Sequence, residues 1–212
     1  MKKIIFINVP ISTKKAEEPI QYKVIGNNKL EYSGKVMCPI NSILAKTLKK
    51  EDDVKVVYVK EQQKEEKDKH YEKIMQEELS NINKNIGANI EYKVICKAFE
   101  ETQKSHGELL ETLIDELEEK AEVSADITYG AKPLPFIIFN ILTFAAKFCN
   151  SDINNVIYGK VEFVEQADGT TRKENPTIFD LSPLYYLNSL SSKIECKDMN
   201  EAKSIIKKII NI

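Results

Sequence analysis

Two short segments carry the residue types that can hold an anion or a polar ring. Residues 8–13 (NVPIST) place Asn8, Ser12 and Thr13 close together, with Lys14 and Lys15 just behind. Residues 126–135 (DITYGAKPLP) combine hydroxyls, a glycine, a lysine and two prolines. Gly130 permits close backbone approach, and Pro133 and Pro135 suit the first turn of a helix. A helix start attracts anions through free N–H groups and its dipole, and Lys132 adds a positive charge beside it. Thr128 and Tyr129 offer hydroxyls, and Tyr129 also offers a ring on which a base can stack. Taken singly, each segment also reads as an ordinary connection: a solvated loop with turn-forming hydroxyls and a strand-to-helix turn with Asp126 bonded internally.

The absences narrow the chemistry. The seven glycines never form GxGxxG, GxxxxGK[ST] or GxSxG, which excludes the usual dinucleotide, P-loop and serine-hydrolase signatures. Cys38, Cys96, Cys149 and Cys196 are far apart, and His70 and His106 are the only histidines. No metal site and no cofactor is expected from such spacing. Cys38, just before Pro39, reads as a buried filler rather than a nucleophile. The 31 basic residues are nearly balanced by 33 acidic ones, giving a net charge of −2, so a partner as long as duplex DNA or messenger RNA is not expected. Arg172 is the single arginine, which argues against several bidentate phosphate clamps. The most apolar stretch, 133–148, is too short and too polar to span a bilayer, and no signal peptide is evident. A cytoplasmic protein with free thiols is expected.

These segments need elements to position them. Residues 3–9 (KIIFINV) read as a buried first strand ending at Pro10. Residues 11–38 are polar and turn-rich, with 26–28 as a hairpin turn. Pro39 opens a helix with Ile40, Ile43, Leu44 and Leu48 on one face. Strands follow at 54–59, 90–96 and 123–128. Between them lie a helix with a charged start that ends at Gly87 and one begun by a Ser105–Glu108 capping box. The helix at 133–148 is apolar on most sides and should be central and covered on several faces. A long strand at 155–165, a turn at Asp168-Gly169 and a partner strand ending near Phe179 form a closing hairpin. Strand and helix alternate four times, which specifies an α/β fold: a Rossmann-like, mainly parallel sheet with flanking helices and a C-terminal β-hairpin. In such sheets ligands bind beyond the carboxyl ends of the strands, where both segments fall.

The sequence resembles the CRISPR-associated Rossmann-fold (CARF) family, sensor domains of type III CRISPR ancillary proteins. Four stretches carry the resemblance in order: IIFINVPIST, YSGKVMCPINSILAKTL, ADITYGAKPLPFIIFNIL and the pair VIYGKVEF with TIFDLSPLYYL. The third resembles the family's Asp-Ile-Thr-His-Gly-Phe-Arg-Ser-Leu-Pro motif, with Tyr129, Ala131 and Lys132 where histidine, an aromatic and arginine are usual. The resemblance implies a cyclic-oligoadenylate-binding domain over 1–182 with a helical extension over 183–212. It implies cyclic tetra-adenylate as the foremost ligand. It places ligand contacts at Asn8, Val9, Pro10, Ile11, Ser12, Thr13, Lys97, Thr128, Tyr129, Gly130, Ala131, Lys132 and Pro133. Slow, metal-independent cleavage of the ring is a further implication, with Ser12, Thr13 and Lys132 in catalytic roles. The effector ribonuclease common in relatives needs an arginine followed by histidine, and no histidine follows Arg172, so a lone or excised sensor is expected. The apolar helix 133–148 suggests a two-fold homodimer, and a cyclic ligand can sit on such an axis. The alternative is an adaptor α/β module without a nucleotide ligand, its tyrosines serving packing or partner contacts.

Overall fold

The computed structural model describes residues 1–11, 19–62, 71–98, 100, 102–166, 169 and 171–210. Its centre is β1 (Lys2–Asn8), where Ile4 and Phe6 face one side and Ile5 and Ile7 the other, all at most 1% exposed. Only a strand covered on both faces tolerates such an unbroken apolar run. Around it stand β3 (Asp53–Glu61), β4 (Asn89–Lys97), β5 (Glu122–Asp126) and β6 (Asp152–Glu165), all parallel to β1. β7 (Thr171–Asp180) returns antiparallel to β6, and β2 (Lys23–Ile25) runs parallel to β7 at the edge. The order is β2-β7-β6-β5-β1-β3-β4. This is the expected Rossmann-like α/β sheet with its antiparallel hairpin.

One face is packed by α1 (Pro39–Thr47) and α2 (Tyr71–Asn83) through Ile40, Ile43, Leu44, Met75 and Leu79. The other is packed by α3 (Gln103–Ile114), α4 (Leu134–Phe148) and α5 (Ser182–Ser191), the last through Tyr185. The Tyr185 hydroxyl donates to the Leu142 carbonyl at 3.2 Å, which satisfies a buried donor. A last helix, α6 (Met199–Ile210), contacts α5. Among the described residues, no helix is long and apolar enough to cross a membrane.

Three local expectations are corrected. Gly26 does take a positive φ of 93°, but no hairpin forms there. Asn28–Leu30 is a short 3-10 turn, and β2 pairs with β7. A strand of three residues carries too little alternation to show in a sequence. The cap of α3 is Thr102, whose side chain accepts from the Ser105 N–H at 3.2 Å; Ser105 lies inside the helix. Finally, α4 is not covered on several faces within one chain. Phe136 is 75% and Phe148 63% exposed, because α3 and α5 flank the helix without closing over it.

The amino-terminal rim of the sheet is laced by ion pairs. Lys3 lies 2.8 Å from Asp52 and 3.5 Å from Glu122, and Glu118 joins Lys2 and Lys55 at 2.6 and 3.0 Å. The carboxyl rim is built differently. Beyond Ile157, the last residue paired with β5, β6 continues past the rim with β7 alone. The turn at its tip includes Gly169 at φ 78°; Asp168 lies outside the described residues.

Candidate ligand site at the carboxyl rim

β1 and β5 are hydrogen-bonded neighbours in the sheet, with Ile7 level with Asp126. Residues 8–11 and 128–133 therefore leave the rim side by side. Asn8, Val9 and Pro10 are buried, and Ile11 is 38% exposed. Thr128, Tyr129, Gly130, Ala131 and Pro133 are half-buried, and Lys132 is exposed. Ser12 and Thr13, with Lys14 and Lys15, lie outside the described residues. Lys97 is at the same rim but ends β4, two strands from β1, roughly 10 Å away at ordinary strand spacing. The structure thus brings together the residues named after β1 and β5 and leaves Lys97 apart.

Gly130 adopts a φ of 93°, and a Cβ there would meet Leu134 Cδ1 at 2.6 Å and Asn8 Cβ at 3.3 Å. The conformation favours glycine, and the space above Asn8 is tight. Beneath it, Asn8 is fully buried, and neither its Oδ1 nor its Nδ2 has a hydrogen-bond partner. Unpaired buried amides are rare and cost about 1–3 kcal/mol. Asn8 was a candidate on sequence; its orphaned state needed the structure.

The anion-binding groups sit slightly earlier than expected. Pro133 and Pro135 have no N–H, and the Leu134 N–H is taken by the Ala131 carbonyl at 3.0 Å. The first turn of α4 therefore offers few donors. Among the described residues, the N–H groups of Gly130, Ala131 and Lys132 have no partner, so the loop itself presents three consecutive donors, an arrangement suited to anions. Lys132 adds the cation. Tyr129 differs from its expected role as a stacking platform. Its ring packs against the core, its hydroxyl points to the Met37 carbonyl at 3.5 Å, and Tyr22 lies beside it.

The residues that hold this loop are the ones sequence reasoning missed or set aside. Asp126 is 1% exposed, and its two oxygens accept from Thr128 N at 2.8 Å and Ile40 N at 3.1 Å. Burial pushes its carboxyl up to about 6, against the pull of the bonds from Thr128 and Ile40. Glu78 accepts from Met37 N, Cys38 N and Asn41 Nδ2 at 2.5, 3.1 and 2.7 Å, and burial raises its carboxyl too. Its sequence signal is faint: Glu78 stands three residues after Met75, at the margin of the buried stripe of α2. Cys38 is wholly buried, as expected for a filler, and burial raises its thiol.

A Rossmann-like α/β domain with paired loops at the carboxyl rim is the class that fold and site define. Over 125 residues the chain is 24% identical to CRISPR-associated protein MJ1674 of Methanocaldococcus jannaschii, a match covering 58% of this chain and 19% of that protein. The match thus spans about a fifth of the relative's length. No protein-family model matches the chain.

Proposed function

We propose that this chain is a CARF-type sensor domain of a type III CRISPR system that binds a cyclic oligoadenylate, foremost cyclic tetra-adenylate. The observation that carries this reading is Asn8. A buried amide with both polar atoms unpaired, beneath a glycine loop with three free N–H groups, is more polar chemistry than an ordinary strand-to-helix turn needs. A phosphodiester satisfies the loop donors, and the Asn8 amide, covered by Gly130, meets the donor and acceptor of an adenine edge only when that loop shifts. The similarity to a CRISPR-associated protein points the same way. The binding unit is a two-fold homodimer, supported by the uncovered aromatics of α4 and by Leu184 and Leu190 of α5, 55% and 44% exposed.

The test is thermal melting with cyclic tri-, tetra- and hexa-adenylate. At a hundredfold excess over Kd, binding adds about 2.7 kcal/mol, which for a chain of this size is roughly 5–10 °C in Tm. One ring size should raise Tm by this amount; no shift with any ring removes the reading. Slow cleavage is a second part of the proposal. A ribose 2′-oxygen attacks the adjacent phosphorus, the bond to the 5′-oxygen breaks, and the 2′-proton ends on that leaving oxygen, giving a 2′,3′-cyclic phosphate. The protein supplies geometry and donors at the developing charge, with Lys132, Ser12 and Thr13 in those roles. Incubation with labelled ring in EDTA should yield linear product that diminishes in Ser12→Ala/Thr13→Ala. An intact ring at stoichiometric protein leaves a binder only.

A further inference from the structure

The loop after β5 and the start of α1 are tied together at three points, and one of them is a buried carboxylate that bonds to both. Asp126 accepts from the loop through Thr128 N and from the helix through Ile40 N. The Thr128 hydroxyl accepts from Gly159 N at 2.7 Å. Gly159 has no room for a side chain, since a Cβ would lie 2.5 Å from Pro39 Cγ, and Pro39 opens α1. Tyr129 reaches the Met37 carbonyl just before the same helix. No lysine or arginine among the described residues pairs with Asp126. A buried carboxylate without a counter-ion is unfavourable unless its hydrogen bonds compensate. Capping alone would not need it, because an ordinary serine at position 38 could cap α1. Cys38 already has the extended backbone of an N-cap residue, with φ −90° and ψ 115°, but makes no side-chain cap.

We infer that Asp126 is a positioning residue: shielded from any ligand, it fixes the anion-binding loop to the first turn of α1, so that pocket and helix keep one geometry. This deepens the reading of the rim as a cyclic-oligoadenylate site and rests on it for the ligand used in the test. A helix cap and a positioning residue make different predictions once the cap is restored elsewhere. Asp126→Asn removes one of the two links, since an amide has a single acceptor oxygen. Adding Cys38→Ser gives α1 a conventional cap but no tie to the loop.

Expected for Asp126→Asn/Cys38→Ser is a Tm restored toward wild type, with at least tenfold faster amide exchange at Thr128 and at Gly159, whose N–H donates to the Thr128 hydroxyl. At least tenfold weaker binding of cyclic tetra-adenylate is expected as well. If the double variant recovers wild-type exchange in the loop, Asp126 is a cap and the inference is wrong. If the wild-type protein binds no ring, the functional reading fails, and the ligand-free exchange data still decide the positioning role. Should Asp126→Asn fail to fold, the wild-type protein suffices. The Ile40 and Thr128 amides should then open in one event, with equal protection and equal dependence on denaturant. Unequal protection overturns the inference.

Discussion

At the scale of single residues, Asn8 and Lys132 represent opposite relations between binding and stability. Asn8 is buried with its amide unpaired, so the folded protein carries a desolvation penalty there. Replacing it with leucine, of similar size, should raise the unfolding free energy by about 1–3 kcal/mol in urea titrations while abolishing ring binding. A less stable Asn8→Leu protein would mean that the amide has partners after all. Lys132 is exposed, and its loss should leave stability within about 0.5 kcal/mol. Lys132→Ala should nevertheless weaken ring binding by about 1.5–3 kcal/mol in calorimetry, the worth of a hydrogen bond to a charged group. Unchanged affinity would take Lys132 out of the site.

At the scale of elements, the start of α1 rests on two carboxylates, the buried Asp126 and the half-buried Glu78, where a side-chain cap is usual. Burial pushes Asp126 from 3.8 up to about 6. An acid with the higher pKa in the folded state binds more protons folded than unfolded between those values. Stability therefore falls as pH rises through that window, is lowest above about 6, and recovers below 3.8. Glu78, also raised by burial, acts in the same direction. Relative to Asp126→Asn, the wild-type protein should lose up to about 3 kcal/mol between pH 4 and pH 6, and the difference should be level above that. Urea unfolding at stepped pH reads this directly, and a level difference throughout would contradict it. Of this arrangement, only Asp126 bonded within its own turn was legible in the sequence. The strands β1, β3 and β5 and the helices α1 and α4 were, because apolar periodicity and proline position mark them locally. The carboxylate at 126 joins a helix 86 positions earlier, a contact with no local signature. The rim loops were legible as composition, whereas the orphaned amide of Asn8 and the inward ring of Tyr129 depend on packing from other elements.

At the scale of the whole molecule, a single chain leaves large apolar side chains of α4 and α5 uncovered. Phe136 and Phe148 on α4 and Leu184 on α5 are more than half exposed. Exposed large apolar side chains can mark association sites, and these are the ones the proposed two-fold assembly would cover. Phe148→Glu/Leu184→Glu should convert a dimer to a monomer in light scattering while leaving the far-ultraviolet circular dichroism unchanged. A wild-type protein that is already monomeric at high concentration would remove the two-fold assembly from the proposal. The ion pairs of the amino-terminal rim lie at the opposite end of the sheet from the loops, so raised salt should weaken any phosphate contacts without dismantling the sheet.

The adjacency of β1 and β5 also bears on how the protein is made. Asn8 and Thr128 are 120 positions apart in the chain, and their loops meet only because β5 inserts between β1 and β6. Closing so long a loop is entropically unfavourable and slow. The pocket is thus among the last features to form during synthesis. A ribosome-bound chain that has not yet released β5 carries the loop after β1 with nothing opposite it, and Asn8 gains its cover only when β5 pairs with β1.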